Sequence, residues 1–425
     1  MTTGFDEATA IGKGAIDPEA RASRLGRRMV AIGFLSINLG IGLCYGTFGV
    51  MVLDIERHFG VGRAEVSLAL SFVALAHGLI APVIGMLIGR IGIRPLMIAG
   101  ALMSSLGFML IPSASGSLAM FAIYGLLVGP GTALLGVVPV LTLVNNWFSR
   151  NQGRLMGIVM MPVVITVAPL AVVAAKPVLG LAGIFYVVAG LFIGALPLLF
   201  AVIDAPERVG LEPVGGAPAH ASASGASEAL TAFQLWRSPH FLLIVLASGL
   251  IVGAGVSKNV HFVPILTEQG WDISRAAFLL SISGATGIAG SLLFGYLADR
   301  FSSSGALAIN ALLQACVWLI LILPSPFALL VVDAVVIGAC GGGVASAKGV
   351  FVNRFFGRAN FARVSGLSAL TTIPFVFAIS PIVGALREGF GNYDLPLAAI
   401  IILFIVASAC CASLVRTEKR LIAAN

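Results

Sequence analysis

The chain has 425 residues, of which 59% are hydrophobic and only 10% are charged, with a net charge of +7 and a mean hydropathy of +1.05. Soluble domains carry about 25% charged residues, so this composition excludes an ordinary soluble protein. The long apolar runs favour membrane-spanning helices over barrel strands. The positive charge is typical of loops on the cytoplasmic side of a membrane, and we expect no nucleic-acid partner.

Twelve apolar runs are long enough to cross a bilayer as helices, and a polar tract divides them into two sets of six. They begin near Met29, Glu65, Pro95, Leu118, Gly153 and Leu181, and then near Phe241, Arg275, Ser304, Phe327, Arg363 and Leu395. The tract at 205–239 contains GGAPAHASASGAS, a composition typical of flexible linkers. The sequence thus predicts an all-α membrane protein with tails at 1–28 and 417–425 and six-helix bundles at 29–204 and 240–416.

The basic residues predict how the chain is oriented. If both ends lie on one side, most of the 25 Lys and Arg residues, including Arg24, Arg27, Arg28 and Lys348, fall on that side. Cytoplasmic loops are enriched in Lys and Arg. We therefore expect a multi-pass protein of the cell inner membrane with both termini in the cytoplasm.

Three motifs recur in the second half of the chain. GMLIGRIG at Gly85 matches GYLADRFS at Gly295, and VNNWFSRNQGRLMG at Val144 matches VNRFFGRANFARVSG at Val352. VGRAEVSLALS at Val61 resembles ISRAAFLLSIS at Ile273, at nearly the same offset. A shared offset indicates that the two six-helix sets are duplicated and pseudo-symmetric. Transporters built from parallel repeats hold their substrate between the halves, near the midplane.

These residues resemble the major facilitator superfamily, whose short loop after the second span reads G-x-x-x-D-R-x-G-R. The C-terminal copy keeps Gly295, Asp299 and Arg300. The N-terminal copy keeps Gly85 and Arg90, but Gly89 stands where the acid is expected. The resemblance implies a twelve-helix fold of two bundles, in which the charges of this loop hold one conformer.

Within that superfamily, Trp147-Phe148, Arg150 and Gly153–Gly157, together with HFVPILTEQGWDISRAA at His261, resemble the bacterial branch of the monocarboxylate transporter family. Three features depart from the family pattern, and one is that Met160-Met161-Pro162 replaces the small-residue pattern after Gly157. Ser36-Ile37-Asn38 occupies the region of a signature before the first span, and the eighth span, Phe278–Ala298, lacks the arginine usual in the family. Lys258 in the seventh span is a candidate replacement for that cation.

Lys258 lies within the apolar run that begins near Phe241 and ends near Leu266. A lysine inside a membrane is expensive and usually faces a protein interior or a water-filled cavity. His261 follows three residues later, so a helix places both on one side. The pair suggests a site for an anion, whereas the alternative is a lysine that snorkels to the interface.

In the superfamily, spans one, four, seven and ten line the cavity, and this implies a wider set of binding candidates. The predicted substrate-binding residues are Lys258, His261, Tyr45, Tyr124, Asn259 and Asn145. Lys258 would pair with a carboxylate, and the two tyrosines would donate hydrogen bonds. For each tyrosine, a packed ring with a satisfied hydroxyl is an equally good interpretation. We also expect Asp54 and Arg57 to form an interfacial pair.

Asp333, His261 and His77 are the candidates for proton coupling. Burial favours the protonated form of a carboxylate, so Asp333, about two turns inside its span, could carry a proton. The alternatives are that it pairs with a cation or sits at the outer mouth. His77 lies in the middle of its span, where a structural hydrogen bond is the alternative to a place in the cavity.

Glycines and prolines recur in both halves and favour helices that bend. We expect Pro162 and Pro169 to kink span five, and Pro374 and Pro381 to kink span eleven. No Walker motif or metal-ligand cluster stands out, so we predict no cofactor, no metal and no enzymatic activity.

The sequence therefore predicts a secondary transporter, functional as a monomer, that moves a small organic anion, most simply a monocarboxylate, with protons. The rival functions are proton-coupled efflux of an amphipathic drug or siderophore, and a transporter-like ligand sensor. A buried cation favours the anion carrier, because an efflux pocket needs apolar and aromatic surface more than charge.

Overall fold

The computed structural model describes residues 18–61, 63–216, 230–323 and 325–423, apart from the side chains of Leu53, Arg63, Ala64, Ser67, Asn259, Val260, Ile273 and Ala277. Within these residues the chain is almost entirely helical, as the composition predicts. The helices of the first half are α1 Pro18–Ile37, α2 Cys44–Phe59, α3 Arg63–Ile91, α4 Ile93–Leu110, α5 Gly116–Ala122, α6 Gly129–Leu134, α7 Val137–Trp147, α8 Gln152–Val159, α9 Val163–Gly194 and α10 Leu196–Phe200. Those that follow are α11 Ala232–Arg237, α12 Pro239–Glu268, α13 Ile273–Arg300, α14 Ser303–Ile320, α15 Phe327–Phe390 and α16 Asp394–Ala423.

Ten helical stretches in the described residues are long and apolar enough to cross a membrane. Two of them are interrupted by a glycine with positive φ, Gly180 in α9 and Gly357 in α15. Only glycine adopts such a conformation at little cost. The spans that the sequence places from Leu181 and Arg363 begin just after these two kinks, so both predicted boundaries coincide with a change in the helix.

Several helices are broken in the middle. Residues Asn38–Leu43 and Ile123–Val128 form π-helical turns, which occur frequently at functional sites. Between α8 and α9 the helix stops over residues 160–162, so Pro162 marks a break as predicted. Pro169, Pro374 and Pro381 instead lie inside helices whose non-helical residues are Gly180 and Gly357.

The side chain of Asn38 forms hydrogen bonds with backbone groups at the break between α8 and α9. Its amide nitrogen donates to the carbonyl oxygen of Met161 at 3.1 Å, and its amide oxygen accepts from the backbone nitrogen of Val164 at 2.9 Å. Backbone groups that leave a helix inside a membrane need such partners, because lipid supplies none. Asn38 thus ties the first span to the fifth.

The repeated motifs pack against each other across the two halves. A side chain at Gly85 would overlap the carbonyl oxygen of Ala362, and one at Gly295 would overlap that of Gly153. These contacts lie on the side of the molecule where α1 begins, Gly26 packing on Phe148, and where α16 ends. We call this side the terminal side. There, α3 lies against the second part of α15, and α8 lies against α13.

Two predicted boundaries differ from the helices. Helix α1 begins at Pro18, inside the predicted tail 1–28, and α16 continues to Ala423, inside the predicted tail 417–425. Glu418 in that tail is fully buried; it accepts hydrogen bonds from the backbone nitrogens of Ser303 and Ser304 and forms an ion pair with Arg354. It caps α14, because the first amides of a helix have no partner within it.

The predicted linker is ordered at both ends. Pro206–Val209 forms a turn of 3₁₀ helix, and Val214 pairs with Phe148 through a short β-bridge. Thr231 caps α11 with a reciprocal hydrogen-bond pair to Gln234. The small-residue tract at 217–229 lies outside the described residues.

Candidate functional site

Lys258 lies in α12, ten residues before the last residue of the helix, Glu268. Its ammonium nitrogen donates a hydrogen bond to the hydroxyl oxygen of Ser283 in α13, at 2.7 Å. The side chain is partly buried, and among the described residues the other two N–H groups of the ammonium have no hydrogen-bond partner. A cation that faces a neighbouring helix and keeps donors free can receive a carboxylate.

Asp333 is the charged group that interacts electrostatically with Lys258. The residue is completely buried near the start of α15, and within the described structure neither of its carboxylate oxygens has a hydrogen-bond partner. Lys258 and Asp333 act on each other electrostatically, yet in the described residues no direct ion pair joins them. An unsatisfied carboxylate in so dry a place is costly unless it holds a proton or gains a cation.

Close packing between α13, which carries Ser283, and α15, which carries Asp333, brings these two residues toward Lys258. A side chain at Gly338 would overlap the carbonyl oxygen of Ser283, and one at Gly290 would overlap that of Ala339. Small residues let membrane helices approach closely. The glycines of α15 that the sequence associates with bending therefore also fix Ser283 beside the lysine, a role that the sequence did not indicate.

His261 points to a different neighbour. One ring nitrogen, Nδ1, lies 3.2 Å from the hydroxyl oxygen of Tyr393, and Nε2 lies 3.1 Å from the carbonyl oxygen of Ser380. Burial, and then the negative charge of Glu268, raise the pKa of Tyr393 above its usual range, so its phenol stays protonated and can donate to Nδ1. His261 thus joins α12 to the second part of α15 and the following loop, while Lys258 joins α12 to α13.

The predicted aromatic and histidine residues of the first half form a separate cluster. His77 Nε2 lies 2.8 Å from the hydroxyl oxygen of Thr132, and its ring meets that of Tyr45 edge to face with 6.5 Å between centroids. Tyr124 is 1% exposed, packs edge to face on Phe48, and its hydroxyl has no hydrogen-bond partner among the residues that the structure describes. The hydrogen bond of His77 agrees with the structural alternative, although to a hydroxyl rather than a carbonyl group.

Asn145 lies away from Lys258, on the terminal side. Its amide oxygen accepts from Gln152 at 3.2 Å, and Gln152 accepts in turn from the amide of Asn353 at 2.5 Å. Asn145 and Asn353 occupy equivalent positions in the repeat, so the duplicated motif could have revealed this link between the halves. The side chain of Asn259 lies outside the described residues.

The loop motifs make contacts of unequal strength. Asp299 accepts hydrogen bonds from the backbone nitrogens of Gly153 and Arg154, at 2.7 and 2.8 Å. Arg90 and Arg300 are exposed, and the guanidinium of Arg300 lies 6.0 Å from the ring centroid of Phe301. The predicted pair of Asp54 and Arg57 is wrong, because Asp54 forms its ion pair with Lys176 at 2.5 Å.

Comparison with known sequences identifies similar proteins. The chain is 29% identical over 258 residues to monocarboxylate transporter 13 of Bos taurus, covering 60% of this chain and 57% of that protein. It is 27% identical to monocarboxylate transporter 3 of Rattus norvegicus over 83% of this chain and 73% of that protein. An uncharacterized MFS-type transporter of Bacillus subtilis, YcxA, is 24% identical over 62% of this chain and 63% of that protein. The chain spans 57% of the length of monocarboxylate transporter 13 of Bos taurus and of a second monocarboxylate transporter that it matches.

Solved structures show the same fold at low sequence identity. The E. coli fucose:proton symporter FucP superposes with a TM-score of 0.70 at 14% identity, covering 92% of this chain and 98% of that chain. A bacterial homologue of the iron transporter ferroportin, in its outward-facing state, gives a TM-score of 0.71 at 12% identity, covering 92% and 99%. The family model of the Major Facilitator Superfamily matches residues 30–372 and 259–424. Because that match extends over most of a chain with this all-helical fold, the protein belongs to the Major Facilitator Superfamily.

Proposed function

We propose that this protein is a secondary active transporter that carries a small monocarboxylate across the cell inner membrane together with protons. The observation that carries the proposal is Lys258, a cation in a membrane helix whose only partner among the described residues is one hydroxyl group. The similarity to monocarboxylate transporters supports the same class of substrate.

The proposed architecture has twelve spans in two six-helix bundles, with both termini in the cytoplasm. The stretches Gln152–Phe200 and Phe327–Phe390 support it, because 49 and 64 helical residues far exceed one bilayer crossing. Counting each side of the kinks at Gly180 and Gly357 as a span gives twelve. The close contacts on the terminal side support a state closed toward the cytoplasm, in a monomer that alternates between two openings.

The proposed chemistry couples binding of the substrate at Lys258 to protonation of Asp333. The carboxylate of the substrate binds the ammonium group, and the negative charge that Asp333 would otherwise supply is removed when Asp333 takes a proton. Two carboxylates near one lysine repel each other unless one is protonated. Binding of the anion therefore favours binding of the proton, which is the coupling that a symporter needs.

Uptake into proteoliposomes tests this function, with acetate, lactate, pyruvate and benzoate as labelled probes. We expect at least one probe to accumulate when the outside is made acidic, and no accumulation of any of the four would overturn the proposal. Expulsion of an amphipathic dye under the same gradient would favour the efflux function instead.

Lys258→Ala should lower uptake of the best probe at least 100-fold, since the charge that binds the carboxylate is removed. Lys176→Ala is the matched control, because it removes a lysine that already has an ion-pair partner, and it should retain most of the uptake. Asp333→Asn should still exchange probe across the membrane but should no longer accumulate it on a pH gradient. Undiminished uptake by a well-folded Lys258→Ala protein would refute the role of the lysine.

A further inference from the structure

A second lysine is isolated inside the helical body. Lys348 lies in α15, nine residues before the kink at Gly357, which corresponds to roughly 13 Å of helix. The charge pattern of the sequence suggests a cation of the cytoplasmic side, but the residue is partly buried within the span. Among the described residues it has no hydrogen bond or ion pair, and no charged group acts on it. A cation so placed in a membrane span is a candidate functional site.

The helix face that carries Lys348 borders open space at Gly341, which is exposed. Gly341, Ala345 and Lys348 follow one another at helical spacing, and a Cβ atom built on Gly341 would meet nothing within 4 Å. In the part of α15 before the kink at Gly357, the exposed large apolar side chains are centred on the opposite side of the helix, roughly 170° from the centre of this face at 3.6 residues per turn. They are Leu329, Val332 and Val335.

The next residue along places this face beside the first half of the chain. Gly349 packs against Met156 of α8 and Leu141 of α7. Two residues before Lys348, the hydroxyl of Ser346 donates to the carbonyl oxygen of Ser291 in α13, at 3.1 Å. Lys348 therefore lies close to where the two halves of the chain meet. It is further from the terminal side than the contacts that close that side.

Helix α13 relates the two lysines to each other. Lys258 binds Ser283, and the neighbourhood of Lys348 is tied to Ser291, eight residues further toward the terminal side, or about 12 Å. A small monocarboxylate cannot reach both positions at once. It can, however, be passed from one cation to the next as the contacts below Lys348 open.

We propose that Lys348 is a second anion-binding position, which receives the carboxylate from Lys258 and releases it toward the terminal side. This inference rests on the proposed anion transport and adds a step to it. Attraction by this ammonium group, which has no partner in the described part of the chain, would lower the barrier for a negative charge to cross the apolar stretch next to Met156 and Leu141.

The test compares binding with turnover, using whichever of acetate, lactate, pyruvate and benzoate the wild type accumulates most. Lys348→Gln should keep the Kd of that probe in detergent within twofold, because Lys258 is intact, and should slow uptake and exchange at least 10-fold. Lys348→Arg should restore most of the turnover by returning the charge. Lys258→Ala should differ from both by weakening the binding itself.

Two results would overturn the second position. One is turnover of Lys348→Gln at the wild-type rate; the other is a loss of binding as large as that of Lys258→Ala, which would mean one shared site. If the Gln variant is not monodisperse, the comparison is made with Lys348→Arg and Lys348→Met, and equal turnover of these two would also refute it. Failure of the wild type to transport any probe would instead overturn the proposed function.

Discussion

The two copies of the loop motif secure the terminal side by different means. In the second half, Asp299 accepts hydrogen bonds from the first amides of α8, which belongs to the other half. In the first half, Gly89 stands at the equivalent position and offers no carboxylate. The part of α15 that faces Gly85 is instead held to the linker: the carbonyl oxygen of Leu230 accepts from the guanidinium of Arg363 at 2.6 Å, and the backbone N–H of Leu230 donates to the side-chain oxygen of Asn360 at 3.0 Å.

The difference follows from where each partner helix begins. Helix α8 starts at Gln152, so the amides of Gly153 and Arg154 lie in its first turn and need an acceptor. The equivalent residues, Ala362 and Arg363, follow the kink at Gly357 by more than one turn. Their amides already have acceptors within the helix. An aspartate in this loop is therefore useful only where the facing helix starts opposite it.

Among the changes that test this comparison, Asp299→Asn is expected to have the largest effect on the contact between the halves. The change removes the charge that caps α8, a loss of about 1–2 kcal/mol, which favours separation of the halves. The measurement is the alkylation rate of Met156→Cys, a buried position between the halves, in a protein whose exposed Cys316 is replaced by Ala. We expect it to rise about 5- to 30-fold.

The control for that measurement is Asp272→Asn. Asp272 caps α13 within one half, and the backbone N–H of Ser274 holds the pKa of its carboxyl below the usual range. It performs the same local task at an exposed helix end, so its loss should leave the alkylation of residue 156 unchanged. Equal rates in the two variants would show that Asp299 does not hold the halves together.

A smaller effect is expected from Asn360→Ala, which removes the hydrogen bond between the linker and the second part of α15. The variant leaves the backbone N–H of Leu230 and the carbonyl group of Phe356 without their side-chain partner, at a cost of about 1 kcal/mol. Cleavage by thermolysin next to Leu230 should accelerate about 5-fold. Asn392→Ala, a change in an exposed loop, serves as control, and unchanged cleavage in Asn360→Ala would exclude the linker contact as a restraint.

The smallest effect is expected from Gly89→Asp, which restores the acid of the motif. A Cβ atom at this exposed position meets nothing within 4 Å, so the side chain fits. Because the facing amides are already paired, the free energy of unfolding in detergent should change by less than about 0.5 kcal/mol. A stabilisation of more than 1 kcal/mol would contradict the explanation from helix starts.

Much of the candidate site could be predicted from single residues. Lys258 and Asp333 are recognisable because charges are rare in apolar runs, and Asp299 because it belongs to a repeated motif. The structure gives each of them a specific environment. Their partners were not visible in the same way. Ser283, Gln152 and Thr132 are common residues whose contacts depend on how helices far apart in the chain pack together.

The sequence by itself determined the helical membrane class, the starts of most spans and the internal repeat, because hydropathy and recurrence are properties of the linear chain. Only the tertiary structure decided that Asn38 supports the break at Pro162, that Glu418 caps α14, and that Lys348 lies between the halves. These outcomes depend on which backbone groups are left without partners after the helices pack. In lipid such groups must be satisfied by whichever side chain the fold brings near.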